Sequence, residues 1–255
     1  MIAGSADRTA PGEPIVMPAM LAAQVASWHA LMDLHDLVRD QWTLVGGQMV
    51  HLHCAERDTD PERPTDDAVV DVRAGGYMLE RFTRALLDLG FVPYTPGEGF
   101  QHRWIRNNGG VPAQIDVLRP DGIGERAAAR HGAGGAPTLA TPGGTQALSR
   151  SRSVLVTAEG RSGWVRRPNL LGALVMKAAA HTAVGDPARG RHRFDFAVLA
   201  SLVAASDFRS EKMTRKDCRR LRAIIGATRA DPAVMVGVRD AERSLARVER
   251  AAGLA

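Results

Sequence analysis

Two adjacent glycines, Gly46-Gly47, an acidic run with Asp66, Asp67 and Asp71, a later Asp116 inside an apolar segment, and Lys177 among apolar and small residues are the parts of this sequence best suited to phosphate chemistry. Paired glycines let backbone N–H groups approach an anion without Cβ interference, and a helix opening behind them turns its positive end to a phosphate. Carboxylates nearby would hold a divalent metal on that phosphate. A lysine on the apolar side of a helix must find an anion or lose its hydration uncompensated.

The elements that must position these groups are legible from periodicity. Residues 20–39 repeat apolar side chains near every 3.6 residues (Leu21, Val25, Trp28, Leu31, Met32), which predicts an amphipathic helix with His29 and His35 on its surface. Trp42-Thr43-Leu44-Val45 is a short β-like entry into the Gly-Gly turn, and Met49 to Leu52 continue as a helix. Residues 54–64, with Pro61 and Pro64, predict a loop, and His51 and His53 before it lack partners at zinc spacing. Residues 68–72 predict a strand closed by Gly75-Gly76, residues 77–89 a helix, and residues 91–94, 102–106 and 113–118 short strands with a hairpin turn at 107–110. Residues 120–144 lack periodicity and predict a mobile loop or an insertion, after which residues 149–156 and 163–165 add edge strands. Four helices follow, over 170–182, 194–204, 214–227 and 232–251, with a loop at 185–190. The last two carry Arg215, Arg219, Arg220, Arg222, Arg239, Arg243, Arg247 and Arg250, a face that is either solvated or suited to a nucleic-acid backbone.

The order of Gly-Gly, a carboxylate-bearing strand, and a second strand ending Gln114-Ile115-Asp116-Val117-Leu118 resembles the nucleotidyltransferase fold of the DNA polymerase β type. The second half narrows this. With Arg63-Pro64-Thr65-Asp66-Asp67, Leu174-Val175-Met176-Lys177-Ala178-Ala179-Ala180 and Asp195-Phe196-Ala197-Val198-Leu199, the chain is similar to the AbiEii family, the nucleotidyltransferase toxins of AbiE-type and MenT toxin-antitoxin systems, over residues 42–203. The resemblance implies nucleotide transfer from a nucleoside triphosphate to RNA, with the tRNA 3′ end as acceptor and a cognate antitoxin protein as partner. It implies that Gly46 and Gly47 seat the triphosphate, that Asp67 and Asp116 with Asp66 or Asp71 bind Mg²⁺, and that Lys177 neutralises phosphate charge. Asp116 would serve as general base, and Asp195 would have an essential, Lys-orienting role. One position departs from the pattern: Val69 stands where the second metal carboxylate belongs. Asp71 shares the strand face of Asp67 but lies roughly 13 Å along it, too far to share one ion without a bulge. A transferase acting on a small molecule or protein, and a catalytically degenerate scaffold that binds nucleotide, RNA or a partner, are the competing expectations.

Composition bounds these readings without choosing among them. The 255 residues predict an α+β fold: a small mixed-sheet nucleotidyltransferase core over 19–166, a helical region over 167–255, and a loose leader over 1–18. Thirty-three basic against 28 acidic residues give a formal charge of +5, which permits polyanionic partners. Cys54 and Cys218 are far apart in sequence, arguing against a zinc site or disulfide framework and for a reducing, cytoplasmic setting. No apolar run approaches a membrane span.

Overall fold

Alternating β-branched and apolar side chains build a sheet with one wholly buried face, and that face organises the chain. The computed structural model describes residues 13–61, 63, 65, 68–73, 77–94, 99–107, 110–183, 189–209 and 211–254. In chain order the elements are β1 (Ile15–Val16), α1 (Ala22–Leu37), β2 (Trp42–Val45), α2 (Gly46–Ala55), β3 (Ala68–Val72), α3 (Met78–Asp88), β4 (Val92–Tyr94), β5 (Arg103–Arg106) and β6 (Ala113–Pro120). Then come α4 (Glu125–Ala128), β7 (Ala140–Thr141), α5 (Gly144–Ser149), β8 (Ser151–Ala158), β9 (Arg161–Pro168), α6 (Leu170–His181) and α7 (Arg189–Ser201). A 3₁₀ turn at Ala205–Phe208 leads into α8 (Arg215–Arg229), α9 (Pro232–Gly237) and α10 (Ala241–Ala251). This is the α+β architecture expected, with a mixed sheet followed by helices.

The main sheet runs β2-β3-β6-β5-β4, with β7 added beside β6. Strands β3 and β6 are parallel and the other neighbours in that run are antiparallel. On β3 and β6, Ala68, Val70, Val72, Ile115 and Val117 point into the main core, while Val69, Asp71 and Asp116 take the opposite face because successive side chains alternate. Helix α3 closes the core face with Leu79, Phe82 and Leu86. Trp42, buried at the start of β2, packs against Phe82 and edge-on to His35, and its indole Nε1 donates to the Val38 carbonyl at 2.6 Å. His35 is therefore a packed residue and not one of the helix surface. Burial and the neighbouring Arg166 keep its imidazole below its usual pKa.

A second sheet, β1-β8-β9, lies outside the sequence-level expectation of edge strands. Strands β8 and β9, eight residues each, form a hairpin, and β1 runs parallel to β8 through Ile15↔Val156 and Val16↔Thr157. Ile15 and Met17 are buried, so the C-terminal part of the anticipated loose leader is packed into a sheet. Residues 120–144 are also more ordered than their composition suggests, since β7 pairs with β6 and Thr138 Oγ1 hydrogen-bonds the Val117 carbonyl. Helix α2 reaches Ala55, beyond the Cys54 boundary, and the anticipated helix over 232–251 divides at Asp240, whose φ of 52° lies in the left-handed region. One continuous hydrophobic cluster includes side chains of α1, both sheets and the C-terminal helices.

The hairpin is fastened to α2 by a buried charge cluster. Arg167 of β9 donates to both carboxylate oxygens of Glu56, and His53, one turn earlier, lies 3.7 Å from the same carboxylate. Burial would raise the Glu56 carboxyl, but His53 and Arg167 outweigh it and bring the pKa to about 2; burial brings His53 down to about 4, with Arg167 adding to the shift. Both shifts favour the deprotonated form in the fold. Stability is therefore lost as pH falls from about 6.5 through 4 for His53, and from about 4.5 toward 2 for Glu56. Replacing Glu56 by Ala strips a buried guanidinium of its carboxylate, and urea unfolding at pH 7 should show a loss of about 3–5 kcal/mol.

Candidate active site

The turn between β2 and α2 needs both of its glycines, for different reasons. Gly46 has φ +73°, a left-handed conformation, and a Cβ there would lie 3.1 Å from Val69 Cγ2. A Cβ on Gly47 would lie 2.4 Å from Thr65 Oγ1. The backbone thus passes against both ends of the segment that enters β3. Val45, at the N-cap of α2, provides no side-chain hydrogen bond, and the first turn of α2 has no acidic residue. The positive end of its dipole therefore has no compensating charge from within its own first turn. Gln48 and Gln24 hold the Thr65 carbonyl from below, fixing the approach of this segment.

Register then sets what lies beside the turn. Val45 is opposite Val69, Val69 opposite Asp116, and Asp116 opposite Arg103. The position facing Gly46, where a carboxylate pair would be completed, is held by Val69. Asp116 is next in the row, nearly buried, and its carboxylate is bound bidentately by Arg103, Nε to Oδ1 at 3.0 Å and Nη2 to Oδ2 at 2.9 Å. Asp66 and Asp67 lie outside the described residues. Arg103 has no counterpart among the sequence-level candidates. The sequence did not point to it: a hairpin closing at 107–110 sets Arg103 across from Gln114, whereas the observed pairing of Arg106 with Ala113 moves the register by two residues, to Asp116.

The second half of the chain reaches the same turn by two routes. Met176 of α6 packs on Val45 and Val69 together with Ala147 of α5. The next residue, Lys177, is only 4% exposed and donates from Nζ to Asp195 Oδ2 at 2.5 Å. Asp195, on α7 and 2% exposed, also receives Arg63 Nε at 2.7 Å and Nη2 at 2.9 Å, and Arg63 is two residues before the Thr65 that covers Gly47. Burial works to raise the Asp195 carboxyl, but Lys177 and Arg63 together hold it below the ordinary range. The Arg63-x-Thr65 spacing was noted in the sequence, whereas the use of Arg63 as a second cation on Asp195 was not. A cavity of about 840 Å³ opens on the other side of Arg63, between Met17, Met20 and α2. His51, on its wall, is engaged with the Arg63 carbonyl at 2.8 Å.

Asp71 does not join this group. It is fully buried on β3 two residues beyond Val69, and neither of its carboxylate oxygens has a hydrogen-bond partner among the described residues. Its Oδ2 sits so near α5 that a Cβ on Gly144 would lie 1.8 Å away. Burial, reinforced by the nearby Asp121 carboxylate and only partly offset by Arg119, pushes its pKa well above the usual carboxylate range. Closed in beneath α5 and without a hydrogen-bond partner among the described residues, Asp71 stands apart from the Asp116–Arg103 pair. Among the described residues, no three His, Cys, Asp or Glu side chains gather in a metal-binding arrangement.

The Arg-rich helices divide. Arg220 is buried against Asp121 and Arg247 bonds the Ser201 and Val203 carbonyls, whereas Arg215, Arg219, Arg222, Arg239, Arg243 and Arg250 are exposed. No described helix is long and apolar enough to cross a membrane.

No protein-family model and no curated protein sequence matches the chain. Among solved structures, an antigenic nucleotidyltransferase-like protein from Paracoccidioides brasiliensis superposes with a TM-score of 0.51 at 13% identity, covering 85% of this chain and 94% of that one. At that identity the likeness is one of fold. The chain has a nucleotidyltransferase-like fold, in which Asp116 is paired with Val69 beside the Gly-Gly turn and Met176, the residue before Lys177, packs on Val45 and Val69.

The burial of Asp71 has a sign that can be measured. A raised pKa means that the folded state binds the proton more tightly than the unfolded chain, so its contribution is present below about pH 3.9 and is lost as pH rises through the folded value. Asp71→Asn removes that dependence. The variant should melt above the wild type at pH 8, by roughly 2–4 °C for each kcal/mol recovered, and show no advantage at pH 4 in thermal scans.

Proposed function

We propose that this protein is a nucleotidyltransferase that takes a nucleoside triphosphate and transfers its nucleotide to an RNA 3′ end, tRNA being the acceptor that the AbiEii resemblance suggests, in the setting of a toxin with a cognate antitoxin. The reading is supported by convergence: Asp116 is paired with Val69, which lies against Gly46, and Lys177 is joined through Asp195 to Arg63, two residues before the Thr65 that covers Gly47. In this mechanism the amides at the start of α2 seat the phosphates, with Mg²⁺ as the ion carried by the triphosphate substrate. Lys177, oriented by Asp195, offsets the charge that builds on the phosphates as the pyrophosphate leaves. The acceptor hydroxyl oxygen bonds to the α-phosphorus, the bond from that phosphorus to the pyrophosphate oxygen breaks, and the hydroxyl proton passes to Asp116. Asp116 can accept it only after Arg103 has released the carboxylate.

A second reading, a nucleotide-binding scaffold without turnover, is favoured by Val69, an apolar side chain at the position facing Gly46. One experiment separates the two. Purified protein is incubated with labelled nucleoside triphosphates, Mg²⁺ and total tRNA, and label on RNA is quantified. Transfer by the wild type, lost by at least a hundredfold in Lys177→Ala and Asp116→Ala, supports the enzyme. Undiminished turnover in either variant removes that residue from the mechanism. Triphosphate binding without transfer supports the scaffold, and in that case Val69→Asp, which restores a second carboxylate beside Gly46, should gain measurable transfer.

A further inference from the structure

The transverse row that passes under the site does not stop at Arg103. Tyr94 of β4 is paired with Arg103, so Val45, Val69, Asp116, Arg103 and Tyr94 stand side by side on the same face across the whole main sheet. Strand β4 is the sheet edge, and Tyr94 is 50% exposed there, with Val92 exposed on the same face two residues earlier. Moving outward from the glycine turn, the row presents a carboxylate, then a guanidinium, then an aromatic ring. The distance from Asp116 to Tyr94 is two strand spacings, about 10 Å.

That order matches the parts of one nucleotide. In phosphoryl transfer the attacking and leaving oxygens lie roughly in line across the phosphorus. With the pyrophosphate seated at the Gly46-Gly47 turn, the attacking hydroxyl must come from the opposite side, which is the Arg103 and Tyr94 end of the row. We propose that Arg103 and Tyr94 form the acceptor subsite, receiving the terminal nucleotide of a single-stranded RNA. Its base stacks on the Tyr94 ring, its 5′ phosphate draws the Arg103 guanidinium off Asp116, and its 3′ hydroxyl faces the carboxylate so released. Arg103 is a positioning residue in this scheme: it holds Asp116 neutralised until the acceptor phosphate arrives, which couples acceptor binding to the availability of the base. Base stacking on an aromatic side chain tolerates any base identity, so the subsite recognises a strand end and not a sequence. The proposal rests on the transferase reading, with the row geometry as its own support.

The test measures two ligands separately on the full-length chain. A short fluorescently labelled single-stranded RNA reports the acceptor subsite by anisotropy, and a non-hydrolysable nucleoside triphosphate reports the glycine turn by calorimetry. Tyr94→Ala should weaken RNA binding at least tenfold, Tyr94→Phe should bind within twofold of the wild type, and all should bind the triphosphate alike. Tyr94→Trp adds an exposed indole whose emission the RNA, and not the triphosphate, should quench relative to the wild-type protein. RNA affinity unchanged in Tyr94→Ala overturns the proposal, as does quenching of the new indole by the triphosphate, which would assign the ring to the donor base. Wild-type protein that binds triphosphate but no RNA overturns the acceptor subsite and leaves the triphosphate site standing. Tyr94-dependent RNA binding without triphosphate binding supports the subsite and overturns the transferase reading instead.

Discussion

Everything at the site depends on one carboxylate shared by two cations. Asp195 belongs to α7, Lys177 to α6 and Arg63 to the segment entering β3, so this trio ties the helical half of the chain to the sheet half at the glycine turn. Buried charges of this kind contribute little net stability compared with apolar packing, because desolvation offsets most of the attraction. What they do specify is geometry. Lys177 could reach several places from α6, and the Asp195 carboxylate, itself fixed by two bonds from Arg63, allows one.

The remainder of the sheet face is arranged around a similar economy of charge. Val69 puts an apolar side chain beside Gly46, Asp71 is closed under α5 where burial raises its pKa, and Asp116 is matched by Arg103. The described face therefore has no bare carboxylate near the anion-seating turn. The apolar contact of Val69 with Met176 meanwhile gives the two halves a packed seam where a second carboxylate would have needed a counter-ion.

How much of this could be read beforehand differs from element to element. Strands β2, β3 and β6 were legible because Trp42 to Val45, Ala68 to Val72 and Ala113 to Leu118 combine β-branched content with clear turn signals. The same holds for α6, where Asn169 caps the helix by accepting from the Gly172 amide at 2.9 Å. The second sheet was missed because β1 is two residues long and pairs with a strand about 140 positions away, a distance over which periodicity carries no information. The surroundings of Asp71 were hidden for a related reason. Alternation correctly gives its face, but only the later docking of α5 decides that the face is covered there. The partners of Arg103 and Tyr94 come from the observed register, which the anticipated turn at 107–110 sets two residues off.

The burial of Lys177 bears on how this protein's charge can be altered. The sequence holds three lysines, Lys177, Lys212 and Lys216, against thirty arginines, and the latter two lysines are exposed. Amine-directed acylation of the folded chain thus meets two peripheral amines and a third locked onto Asp195. The rest of the positive charge is guanidinium, which neither acylation nor any physiological pH removes. The electrostatic character of this molecule is accordingly set mainly by its arginines, and Lys212 and Lys216 are the exposed lysines through which it can be adjusted.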